Sequence, residues 1–201
     1  MMALKGHDRL TGVSCERQRQ LEAVKKMYTG LIRGIICAGM ALVATAGFAQ
    51  DSNNRVAAFT DWSVFEAGNP KQCWGVSQPK ETVNTRDGRV VAVNRDDILL
   101  FVSYIPASNV KGQISFTGGY PFREGSTVEL KVGDTRFELF TDNRMAWSAS
   151  DADDAKIVTA LKRGADAILT ATSSRGTKTE DTFSLFGFTA AVEEAEKRCG
   201  G

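Results

Sequence analysis

From about residue 60 to residue 186 the chain consists of short β-branched and aromatic runs broken by Gly, Asn, Asp and Pro at the spacing of a sandwich. That punctuation confines it to a mainly β fold. Strands are expected near 60–66, 72–78, 89–94, 97–105, 110–117, 126–132, 135–141, 144–148, 166–173 and 179–186. Gly133-Asp134 is a two-residue turn with glycine first, as a type II′ hairpin requires, and it sets the register. Val128 then faces Leu139 and Leu130 faces Phe137, while Glu129, Lys131, Arg136 and Glu138 share the other face. A turn at Asp142-Asn143 would continue the meander, with Phe140 opposite Met145. The run Ile98-Leu99-Leu100-Phe101-Val102 does not alternate and reads as a strand covered on both faces. Trp62, Trp74 and Trp147 lie in strand runs, where core packing is the expectation.

Two helices interrupt this pattern. The first opens at Asp151-Ala152-Asp153-Asp154, carries an Ile157, Val158, Leu161 stripe and stops at Lys162-Arg163-Gly164. The second, from about Thr189 to Arg198, places Phe188, Ala191, Val192, Ala195 and Cys199 on one face. The fold class is therefore a single-domain antiparallel β-sandwich with two short helices.

Ahead of the strands, Lys25, Lys26 and Arg33 precede an apolar run from Ile35 to Ala46 that ends in Ala-Gly-Phe-Ala. This is the pattern of a secretory signal peptide, and the run is well short of the ~20 residues of a membrane-spanning helix. Residues 1–49 are read as signal peptide with an N-terminal extension, with Met27 as the candidate true start, and residues 50–201 as the β-rich domain. Cys37 does not fit a lipidation site, because Ile36 is bulky and the cysteine lies inside the apolar run. Cleavage removes seven cationic and three acidic side chains, leaving a net charge of about −3. No basic stripe remains, so nucleic acid is not an expected partner.

Of the four cysteines, Cys73 and Cys199 remain after cleavage, and an exported pair suggests one disulfide, which would tie the C-terminal helix to a strand. Two reduced buried thiols or a redox couple are the competing readings, without a C-x-x-C spacing behind them. The only histidine, His7, lies in the cleaved segment. The exported chain would then lack a Ser-His-Asp or Cys-His nucleophile system and a histidine-ligated zinc site. Carboxylate chemistry stays open.

Three local motifs carry a functional reading beside a plainer one. Asp151, Asp153 and Asp154 resemble a calcium ligand set but lack the loop glycine and the twelfth-position glutamate, so helix capping is expected and no metal site is assigned. Thr117-Gly118-Gly119-Tyr120-Pro121-Phe122 is a turn or a ligand platform presenting Tyr120 and Phe122. Ser173-Ser174-Arg175-Gly176-Thr177 is a hairpin connection or an anion-binding turn. Tyr120, Phe122 and Arg175 form the candidate binding loop. No catalytic residue and no cofactor is expected.

Asp61-Trp62, Cys73-Trp74 with Val76-Ser77, the run Asp97 to Tyr104, the run Gly112 to Phe122, Phe137 to Phe140, Ser173 to Thr177, Asp181 to Leu185 and the final Cys199 occur in this order. In these residues the chain resembles the invasion-associated locus B family of exported alphaproteobacterial proteins. The resemblance covers the whole chain after the signal segment and implies a β-rich domain of the cell envelope or the medium. It implies no catalytic motif.

The expected function is a periplasmic or secreted binding protein, not an enzyme, that contacts an envelope or host-surface protein or glycan. The alternative is a carboxylate-dependent hydrolase of envelope polysaccharide.

Overall fold

Alternation decides which residues enter the core. In the computed structural model, which describes residues 54–200, Trp62 and Val64 on β2 (Trp62–Gly68), Cys73 on β3 (Lys71–Ser77) and Leu100, Val102 and Tyr104 on β6 (Leu99–Ile105) all point inward and are buried. Ile114 and Phe116 on β7 (Val110–Thr117), Val128 and Leu130 on β8 (Thr127–Val132) and Leu139 on β9 (Thr135–Asp142) extend the same core. Ala146 of β10 (Met145–Trp147), Ala167 and Leu169 of β11 (Asp166–Thr172) and Phe183 of β12 (Lys178–Ser184) complete it. The remaining strands are β1 (Arg55–Phe59), β4 (Glu81–Arg86) and β5 (Arg89–Val90).

The fold is mainly β, as the sequence indicates, and wholly antiparallel. The twelve strands of the described residues belong to one sheet in the order β1-β2-β3-β6-β7-β10-β9-β8-β11-β12-β4-β5. The sheet folds over itself: Phe116 on β7 meets Phe183 on β12 at 6.1 Å between ring centroids, although four strands separate them in the sheet. Trp62 on β2 donates its indole N–H to the Ser184 carbonyl of β12 at 3.0 Å. The two packed layers are thus parts of one continuous sheet.

The Gly133-Asp134 hairpin pairs Val128 with Leu139 and Leu130 with Phe137, the register expected from its turn. The next turn differs. Met145 faces Asp142 and Trp147 faces Phe140, so the turn is Asn143-Arg144, with Asn143 taking the positive φ of 51° that asparagine tolerates. Residues 89–94 are not a strand beyond Val90, and two strands escaped the pattern, β1 at Arg55–Phe59, ahead of the first expected strand, and β4 at Glu81–Arg86. Trp74 and Trp147 are half-buried on the outward face, unlike the buried Trp62. Leu99 and Phe101 also face outward and are half-buried, so β6 is covered fully on one face only.

Helix α1 (Asp151–Leu161) is capped by Ser150, whose hydroxyl accepts from the Asp153 N–H at 3.2 Å and donates to the Asp153 carboxylate at 2.7 Å. Its Asp154 is buried and accepts from the Ile114 N–H at 2.8 Å and the Ser148 hydroxyl at 2.6 Å, pinning α1 to β7. Helix α2 (Phe188–Cys199) buries Phe188, Ala191, Val192, Ala195 and Cys199, the stripe its periodicity defines. It starts at Gly187, whose φ is +94° and where a Cβ would lie 1.9 Å from the Phe59 carbonyl oxygen, so only glycine fits. Cys199 is disulfide-bonded to Cys73, with 5.8 Å between their Cα atoms. The staple therefore joins α2 to β3.

The expected signal segment 1–49, the candidate start at Met27, and His7, Cys15 and Cys37 lie outside the described residues. Among the described residues no helix is long and apolar enough to cross a membrane.

Candidate functional site

On β12 the inward positions change character along the strand: Phe183 and then Asp181, Thr179 and, just before the strand, Thr177, all nearly or fully buried. Polar side chains in a closed core destabilise it unless each finds a partner. Each does. Arg95 gives a two-pronged bond to Asp181, with N–O distances of 2.8 and 2.6 Å. The Tyr120 hydroxyl bonds the Thr179 hydroxyl at 2.5 Å. Arg86 donates to the Thr177 hydroxyl at 2.6 Å.

Arg95 is the hub of this row. It also donates to the Gly118 carbonyl at 2.8 Å and the Asn84 side-chain oxygen at 3.2 Å, and its guanidinium lies 5.0 Å from the Tyr120 ring centroid. The segment that carries it lies against the Gly-Gly turn, because Gly119, at φ +75°, leaves no room for a Cβ beside the Asp96 carbonyl. Burial pushes the Asp181 carboxyl upward, and Arg95 pulls it back. Burial also raises the Tyr120 hydroxyl, keeping it a neutral hydrogen-bonding group.

Above this row opens a cavity of about 610 Å³ whose lining includes Arg86, Arg95, Arg144, Arg175, Tyr120 and Ser174. Arg95 is neutralised by Asp181, and Arg144 pairs with Asp96 at the rim. Among the described residues neither Arg86 nor Arg175 has a carboxylate partner. Arg175, and Arg86 beyond its bond to Thr177, therefore have donors left over beside serine hydroxyls, and a guanidinium can present paired donors to a carboxylate, sulfate or phosphate.

Of the candidate loop, the structure brings Tyr120 and Arg175 together. Ser174 N–H bonds the Pro121 carbonyl and Arg123 N–H bonds the Thr172 carbonyl, both at 2.9 Å, which holds the Tyr120 segment against the Ser173–Thr177 turn. That turn does connect β11 to β12, and it also lines the cavity. Phe122 must be corrected. It is 5% exposed, bridges Ser173 in the sheet and packs on Phe116, so it anchors the loop in the core and cannot touch a ligand. Arg86, Arg95 and Arg144 were missed from sequence. The available signal was Asp181, a carboxylate of the same strand parity as Phe183, which demanded a buried cation.

Asp151, Asp153 and Asp154 lie in the first turn of α1, where Asp153 bonds the capping Ser150 while Asp154 is spent on Ile114 and Ser148. Among the described residues no group of three His, Cys, Asp or Glu is placed to hold a metal ion.

Compared with known proteins, residues 62–196 match the family model described as invasion associated locus B (IalB) protein. The crystal structure of invasion associated protein B from Bartonella henselae is similar at 19% identity, covering 70% of this chain and 95% of that one, with a TM-score of 0.46. The search of curated proteins found no match.

Proposed function

This chain belongs to the invasion associated locus B family, and from that premise we propose that it is an exported, non-enzymatic binding protein whose arginine-lined mouth takes an acidic group of its partner. The observation that carries the reading is the pair Arg86 and Arg175, two cations without a carboxylate partner among the described residues, in a cavity of about 610 Å³. The cationic mouth, on a chain whose net charge falls to about −3 once residues 1–49 are removed, concentrates attraction in one place. Export is supported by the cationic and apolar pattern of residues 25–49, and localisation in the periplasm or the medium follows from it. The acidic group belongs to an envelope or host-surface partner, a protein or a glycan.

The non-catalytic part of the reading is supported by where the carboxylates go. Asp181 spends both oxygens on Arg95, and Asp154 accepts from Ile114 and Ser148. A glycosidase needs two carboxyls facing each other roughly 5–10 Å apart, whereas Asp96, paired with Arg144, is the carboxylate lining this mouth.

A photo-crosslinking residue at Ser174 in living cells, followed by mass spectrometry of periplasm, outer membrane and medium, tests the reading. It predicts an acidic partner in one of these fractions that is lost from Arg86→Ala/Arg175→Ala. Capture only of cytoplasmic components, or capture indifferent to the two arginines, would contradict it.

A further inference from the structure

A second cleft lies on the outer face of the strands that carry the disulfide. Cys73 points inward to Cys199, so the next residue, Trp74, points outward. Phe65 stands directly across from it on β2, the two rings stacked at 5.7 Å and 10° between planes. Phe101, paired with Val76 on the neighbouring strand, adds a third ring. Together they floor a cleft of about 710 Å³, within the usual range for small-ligand sites. The covalent tie beneath Trp74 makes this floor a rigid platform.

Two further observations define the occupant. First, the cleft is rich in uncommitted hydrogen-bonding groups. Trp62 gives its indole N–H to Ser184, whereas among the described residues the Trp74 indole N–H has no partner, and neither have the side chains of Ser63 and Gln78. Second, the charges at the cleft cancel, because Asp61 and Lys80 pair with each other. The floor is made by β2, β3 and β6, which are paired to sheet neighbours on both sides, so an extended peptide cannot add to their backbones. Recognition must come from side chains alone, through an apolar aromatic face and a ring of neutral donors and acceptors. A pyranose ring has the complementary form, with an apolar C–H face for stacking and hydroxyls around its edge.

We propose that this cleft binds a neutral saccharide, its ring stacked on Trp74 and its hydroxyls bonded by the Trp74 indole N–H, Ser63 and Gln78. The site is separate from the arginine mouth and does not depend on the reading of it.

Titration of the purified protein with cellohexaose, maltohexaose and chitohexaose, followed by tryptophan fluorescence and calorimetry, tests this. Saturable binding of at least one is expected, insensitive to salt, weakened at least about tenfold by Trp74→Ala, as for a central aromatic anchor. Gln78→Ala, a change at the exposed rim, should weaken it about threefold with unchanged melting, and Arg86→Ala/Arg175→Ala should leave it unaltered. Absence of binding to all three would overturn the proposal. So would binding indifferent to both Trp74→Ala and Gln78→Ala, or a Trp74-dependent self-association in place of sugar binding.

Discussion

The core is closed in two different ways. Over β2 and β3 it is sealed by α2, an apolar stripe from Phe188 to Cys199 fastened by a disulfide to β3. Beside β12 and β4 it is sealed by polar pairs: Arg95 with Asp181, Tyr120 with Thr179 and Arg86 with Thr177. The first closure is non-directional and covalently locked, so it can only support. The second must hold charged side chains in fixed geometry, and it leaves guanidinium groups facing outward. A polar seal is therefore stability invested where a ligand can be read, whereas an apolar seal is stability alone.

The comparison breaks most sharply at Asp181. Asp181→Ala strands the Arg95 guanidinium, whose side chain is only 6% exposed, and should cost about 3–5 kcal/mol in urea unfolding. Arg95→Met/Asp181→Leu should recover most of that loss, because removing both charges leaves no orphan. At the other closure, Cys199→Ala should cost roughly 2–4 kcal/mol, and reductant should lower the wild-type melting temperature without affecting the variant. Tyr120→Phe, which removes one hydroxyl from the polar seal, should cost about 1 kcal/mol by the same unfolding measurement.

pH sharpens the contrast with α1. Burial raises the Asp154 carboxyl above the ordinary aspartate range, so the folded chain holds a proton there more readily than the unfolded one. Its contribution is fully present below the unfolded value of about 3.9 and fades as pH rises through the raised folded value. Asp154→Asn should therefore gain stability relative to wild type as pH rises from about 4 to 6, read from urea midpoints. A constant difference across that range would show that burial does not control this group. The smallest effect belongs to the mouth itself: Arg175→Ala should change stability by no more than about 0.5 kcal/mol, since it breaks no pair.

The two closures also differ in how far they could be read from the sequence. The α2 stripe repeats at helical spacing, and Gly133-Asp134 fixes its hairpin locally, so both were legible and both hold. The Asn143-Arg144 turn was placed one residue early because Asp142 and Asn143 are equally good turn residues, and only the positive φ at Asn143 separates them. β1 and β4 were missed because they lie toward the sheet ends with little buried surface, leaving weak alternation. The polar seal joins residues such as Arg95 and Asp181, 86 positions apart, and no local period records such a pairing. Tyr120 and Arg175 were singled out through their turns, and both line the cavity. Phe122 was misassigned because a Gly-Gly-Tyr-Pro-Phe run does not say which aromatic faces inward.

The central claim is that the polar seal is a binding mouth for an acidic group. The most direct test is calorimetric titration of the protein with a heparin-derived hexasaccharide, used as a dense polyanion, at low and high salt. The account predicts saturable binding that weakens with salt, falls at least about tenfold in Arg86→Ala/Arg175→Ala, and is already weakened in Arg175→Ala, the variant whose stability is nearly unchanged. Binding of equal strength in the double variant, or none in the wild type at low salt, would contradict it.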